Sequence, residues 1–169
     1  MENKIFFSVP VQDEAVSKKL PNLYATIGYS PNALQSYMDF VHAQARGSFH
    51  LKEREAVYLI ISQLNDCAYC LASHTQSAVR AGWTEAETVL LRSGNFTDNK
   101  WKVIYQLIAA VIANKGGVAN ELLQAFFELG YKENALMDLM VLVNVMSFTN
   151  YVYRLTKIPI DFPAAPSLQ

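Results

Sequence analysis

Glycine followed by an aromatic residue divides this chain at three places. They are Gly28-Tyr29-Ser30-Pro31-Asn32-Ala33, Gly82-Trp83-Thr84-Glu85-Ala86-Glu87 and Gly130-Tyr131-Lys132-Glu133-Asn134-Ala135. Each glycine suits the position just past a helix, and the polar residues after it suit the opening of the next. Between these corners apolar residues recur at helical spacing, with no convincing strand alternation and no hairpin signal. The chain is therefore read as an all-α helical bundle, one domain over residues 1–169, whose core segment at about 51–94 holds both cysteines. The corners lie 54 and 48 residues apart. Either helical hairpins reuse one kind of turn, or a helical unit is duplicated. In the second case Cys70 corresponds to Val118 and His74 to Leu122, and only the middle copy carries chemistry.

In chain order, residues 1–12 read as extended or irregular and 13–27 as weakly helical, divided by Pro21. Ser30-Pro31 is an N-cap and first-turn pair that opens a helix to about Arg46, with Leu34, Met38, Val41 and Ala45 on its inner face. Helices follow over 51–64 and 67–81, with Asn65-Asp66 as the break and N-cap between them. Thr84 to Glu87 is a capping box for a short helix to about Ser93. Asp98 caps a helix to Lys115, 118–129 is helical, and the last helix spans about 133–157. That last helix is apolar nearly all round, so burial is expected. The tail Pro159-Ile160-Asp161-Phe162-Pro163 is extended.

Hydrophobic residues make up 51% of the chain and charged residues 17%. That is rich for a soluble monomer, so some apolar faces are expected between subunits. Net charge is −1 and the basic residues are scattered, which leaves no footprint for nucleic acid. The start, Met1 to Phe7, lacks the shape of a signal peptide. The longest uncharged run, Leu139 to Tyr153, falls short of the roughly 20 residues of a membrane span. A cytoplasmic protein without membrane association is expected. No Gly-rich phosphate loop follows a strand, and no nucleotide, flavin or haem cofactor is expected.

The chemistry gathers in residues 53–75. Both cysteines of the chain, Cys67 and Cys70, form one Cys-x-x-Cys there, with His74 four residues on. Positions 67, 70 and 74 share one helix face. Thiols in the first turns of a helix meet unpaired N–H groups that favour thiolate, and an i, i+3 pair can close a disulfide. His74 can exchange a proton with Cys70. If 53–64 and 67–81 form a tight hairpin, Glu55 faces the neighbourhood of residue 76, within a turn of His74, and can orient the imidazole. Glu53, by contrast, reads as a solvated first-turn charge. Tyr69 either lines the site or packs. Asn150 and Arg154 read as a polar pair at a helix end, and His42 and His50 lie outside the cluster. Two other readings of the cysteines stay open. One is an inert reduced pair; the other is a metal site completed by His74 and one of Glu55, His42 or His50.

The stretch Leu51-Lys-Glu-Arg-Glu55 … Ser62-x-x-Asn65-x-Cys67-x-Tyr69-Cys70-x-x-x-His74 … Gly82 resembles the carboxymuconolactone decarboxylase and alkyl hydroperoxidase D superfamily, nearest its peroxidase-related branch. Gly28-Tyr-Ser-Pro-Asn and Pro159-Ile-Asp-Phe-Pro extend the resemblance over nearly the whole chain. It implies an all-helical fold, dimers or trimers of dimers, and peroxiredoxin-type reduction of a hydroperoxide, with an external dithiol or disulfide reductase as electron donor. Carried over, Cys70 is peroxidatic, Cys67 resolving, and His74 and Glu55 form the proton relay. Alkyl hydroperoxidase D itself has a second histidine where this chain has Tyr69. The apolar residues Tyr58, Ile61 and Leu71 are expected around the site and favour an organic peroxide over a charged one. The competing functions are a decarboxylase-type enzyme of the same superfamily and a non-enzymatic redox-sensing or metal-binding oligomer.

Overall fold

A computed structural model describes residues 20–168. Among them are eight α-helices: α1 (Asn22–Ile27), α2 (Pro31–Ala43), α3 (Leu51–Leu64), α4 (Ala68–Arg80), α5 (Glu85–Ser93), α6 (Asn99–Ala113), α7 (Asn120–Glu128) and α8 (Glu133–Thr156). A 3-10 turn, Gln44–Arg46, extends α2. The expected all-α class holds, while the expectations for residues 1–19 lie outside the described residues.

Helix α3 is the centre. Its Ala56, Val57, Leu59, Ile60 and Ile61 are fully buried, and it packs against α4, α5, α6 and α8. A segment apolar all round has no solvent face to offer, so it is wrapped on every side. Several caps are those expected. Ser30 Oγ accepts from Ala33 N at 3.2 Å. Thr84 and Glu87 close a capping box, and Asp98 accepts from Lys100 N.

The corner repeat has a structural counterpart. Helices α3 and α6 begin 48 residues apart, as do α5 and α8. Gly82 and Gly130 both hold left-handed backbone, φ 98° and 91°, which only glycine adopts without strain. Lys52 Nζ lies 4.4 Å over the Trp83 ring, and Lys100 Nζ lies 5.7 Å over Tyr131, again 48 residues on in both partners. Gly28 breaks the pattern. It stays right-handed at φ −65°, so the first corner is a different turn.

Other expectations shift. The inner face of α2 carries Tyr37, which is buried, whereas Ala45 is exposed. Helix α8 is not buried all round: Met137, Phe148, Tyr151 and Leu155 are exposed. By length and composition it would suffice to cross a bilayer, but its other face packs on α1, α2, α3 and α4 as a core helix. Glu53 is not a free solvated charge. It accepts from His50 N and pairs with Lys100, joining α3 to α6.

Candidate functional site: a cysteine pair in a braced helical corner

The corner between α3 and α4 is three residues long, and each has a distinct task. Asn65 ends α3, Asp66 takes left-handed backbone at φ 54°, and Cys67 begins the next helix. The N-cap is therefore Cys67, not Asp66. Its Sγ accepts from the backbone N of Cys70 at 3.3 Å. A sulfur in that position takes up one of the orphan N–H groups at the helix start, which favours its anionic form.

Helix α8 holds the corner in place. Asn65 Nδ2 donates to Asn150 Oδ1 at 2.9 Å, and Asn150 Nδ2 donates to Ser62 Oγ at 3.4 Å. Arg154 Nη1 donates to the Asn65 carbonyl at 2.8 Å. The pair read as a helix-end feature is thus a brace for the cysteine corner. Asn150 is wholly buried, so its amide has no water to turn to if these partners are lost.

Cys67 and Cys70 are joined in a disulfide with Cα atoms 5.4 Å apart. Cys67 is fully buried and Cys70 is 2% exposed. Only Cys70 reaches a small cavity of about 50 Å³, which it lines together with His74, Tyr24, Tyr37, Tyr69 and Phe162. His74 Nδ1 donates to Glu55 Oε2 at 2.8 Å. The tight corner brings Glu55 opposite residue 74 itself, two positions from the simple hairpin count. With Nδ1–H committed to the carboxylate, Nε2 is the ring nitrogen left to take a proton. Glu55 is buried, which strengthens the pair relative to one in open water.

Four tyrosines surround this pair. The Tyr58 ring lies 5.0 Å from the His74 ring, and its hydroxyl is pushed up to about 12 by burial and by the Glu55 charge. The Tyr24 and Tyr37 rings lie 5.9 Å apart, and burial raises both hydroxyls. Tyr69 does what both of its readings asked. It lines the cavity and also anchors two segments, accepting from Leu23 N at 3.1 Å and donating to Asp161 Oδ1 at 2.5 Å. Burial, then the bond to Asp161, raise its hydroxyl well above the usual range.

All four expected residues, Glu55, Cys67, Cys70 and His74, meet in one place. Of the apolar residues expected beside them, Tyr58 touches His74, but neither Ile61 nor Leu71 lines the cavity. His42 and His50 are exposed, and no group of histidine, cysteine and acidic side chains is arranged to hold a metal among the described residues. Sequence reasoning missed Tyr24, Tyr37 and Thr149, which come from helices distant in the chain. Asp161 and Phe162 had a signal in the tail motif but no assigned place.

Comparison with known proteins agrees with this fold. The carboxymuconolactone decarboxylase family model matches residues 31–113. The uncharacterized protein YdfG of Bacillus subtilis (strain 168) is 26% identical over 127 residues, which is 73% of this chain and 86% of its own. The uncharacterized peroxidase-related protein from Silicibacter sp. TM1040 shares the fold with a TM-score of 0.72 at 17% identity, covering 85% of this chain and 76% of that one. A cysteine-to-alanine variant of the debrominase Bmp8, solved with 2,3,4-tribromopyrrole, aligns with a TM-score of 0.74 at 16% identity over 85% and 78% of the two chains. Residues 31–113 thus match the carboxymuconolactone decarboxylase family model, the fold is the one these solved structures share, and the braced corner holds a cysteine pair able to form a disulfide.

Proposed function

We propose that this protein is a thiol-dependent peroxidase. The observation that carries the reading is the asymmetry of the cysteine pair. Cys70 faces the cavity that His74 also lines, and Cys67 is sealed behind it as the helix cap. In the reduced state His74, held by Glu55, takes the Cys70 thiol proton. The thiolate attacks one peroxide oxygen; the S–O bond forms, the O–O bond breaks, and the leaving alkoxide takes the proton from His74 as the alcohol. Cys67 then attacks the sulfenic sulfur, expelling hydroxide that leaves as water, and the disulfide closes. An external dithiol restores both thiols and is itself oxidised.

The cavity's volume favours a small oxidant, or the O–O head of a larger one. Exchange is easiest when the departing sulfur is stabilised, so the reducing thiolate attacks Cys70 and Cys67 departs against the Cys70 N–H. A decarboxylase reading leaves the cysteine pair without a task. Recycling by dithiol suits a reducing compartment, which is the basis for a cytoplasmic location. A second copy of the chain is the natural cover for the apolar groove between α2 and α8, where Phe40 and Phe148 are exposed. Light scattering at micromolar concentration tests that dimer.

The enzyme itself is tested by steady-state turnover of hydrogen peroxide and cumene hydroperoxide with dithiothreitol. Cys70→Ser is expected to lose turnover by about 10³-fold or more. Cys67→Ser is expected to form one sulfenic acid per chain and stall. Wild-type turnover in Cys70→Ser would overturn the assignment, and a single oxidation without cycling in the wild type would make the protein a sensor.

A further inference from the structure

Arg92, near the end of α5, is 5% exposed. Its Nε donates to Gln63 Oε1 at 3.0 Å and its Nη1 to the Pro166 carbonyl at 2.6 Å. Both partners are neutral. Among the described residues the ion pairs involve Glu55, Glu53 and Asp66, and none reaches Arg92. Burial lowers its guanidinium from the usual value with no opposing charge to hold it up. A buried cation is ordinarily matched by an anion, because desolvation penalises its charge. This one instead borders a cavity of about 270 Å³, walled by Ala68, Leu71 and Ala72 of α4 and by Phe162 and Ala165 of the tail.

We propose that this cavity binds a compact organic monocarboxylate, its carboxylate on Arg92 and its apolar body against Leu71, Ala72 and Phe162. The planar guanidinium matches a carboxylate in two-point geometry, and Nη2 has no protein partner among the described hydrogen bonds. No second cation lines the cavity, which argues against phosphate. The apolar walls require a ligand with a hydrocarbon body rather than a bare ion. Leu71, read from sequence as a wall for an uncharged substrate, belongs to this cavity instead. The site adjoins the redox centre: Ala68 and Leu71 each follow a cysteine in the chain, and Phe162 lines both cavities. Binding there needs neither turnover nor reduced cysteines, so it stands apart from the peroxidase reading.

The test is calorimetric titration of the full chain with sodium benzoate, alongside benzyl alcohol and sodium acetate. Saturable benzoate binding is expected, with Arg92→Gln weaker by about tenfold or more and Arg92→Lys recovering part of the loss. Amide shifts at Ala68, Leu71 and Ala72 should move with benzoate. If Arg92→Gln does not fold, the wild type decides alone, since benzyl alcohol and acetate should each bind about tenfold more weakly than benzoate. Absence of saturable benzoate binding, equal binding by Arg92→Gln, equal binding of acetate, or shifts confined elsewhere would each overturn the proposal.

Discussion

The hairpin α3–α4 and the hairpin α6–α7 start from the same plan and end differently. Both lead to a left-handed glycine, an aromatic ring under a lysine, and a new helix 48 residues apart. The first turns in three residues, with Asn65 buried and tied to α8. The second runs from Asn114 to Ala119, and residues 114–117 are all exposed. Where the first has Glu55, Cys70 and His74, the second has Val103, Val118 and Leu122. A helical hairpin is thus a generic scaffold. What sets the first apart is a short corner, anchored from outside, that seats a sulfur at the helix start.

The largest effect should come from giving the first hairpin the residues of the second. His74→Leu removes the proposed base while leaving both thiols. The rate at which peroxide converts the reduced protein to the disulfide, read by stopped-flow tyrosine and tryptophan fluorescence, should fall about 10²–10⁴-fold. Glu55→Val should cost less, because the imidazole survives but loses the carboxylate that fixes its tautomer. Unchanged rates in both would mean that the two hairpins differ only in their sulfurs.

Next comes the anchor. Asn150→Leu leaves the buried Asn65 amide and the Ser62 hydroxyl short of a partner, at a cost of about 1–3 kcal/mol in urea unfolding. The counterpart, Asn114→Leu, sits in the exposed corner and should stay within about 0.5 kcal/mol of wild type. Equal costs would remove the distinction between a braced corner and a loose one.

Legibility followed the same division. Local chemistry was readable: Ser30, Thr84 and Asp98 cap where their side chains and neighbours say they should, and the 67/70/74 spacing gave the shared face. What failed depended on partners far along the chain. Cys67 takes the cap because Asp66 is turned left-handed in a corner that Asn150 and Arg154 tie down, some 85 residues away. Glu53 looked solvated because Lys100 is 47 residues on. The exposed face of α8 was read as buried because periodicity reports apolarity and not what covers it. The cavity walls from α1 and α2 had no local signal, since Tyr24 and Tyr37 are ordinary core residues until folding gathers them.

The smallest effect lies in the contact that joins the two halves. Burial would raise the Glu53 carboxyl, but the bonds from Lys100 and His50 N outweigh it and hold it below the ordinary 4.5. Burial would lower Lys100, but Glu53 outweighs that and holds it above the ordinary 10.5. A depressed carboxyl contributes fully above its unfolded value and loses that contribution as pH falls through its folded one. A raised ammonium contributes fully below its unfolded value and loses it as pH rises through its folded one. The stability difference between wild type and Glu53→Gln should therefore form a plateau between 4.5 and 10.5 and shrink on either side. Both groups are partly exposed, so the plateau should be under about 1 kcal/mol and lower at high salt. A difference that ignores pH would mean that Lys100 is held by the Tyr131 ring and not by the Glu53 charge.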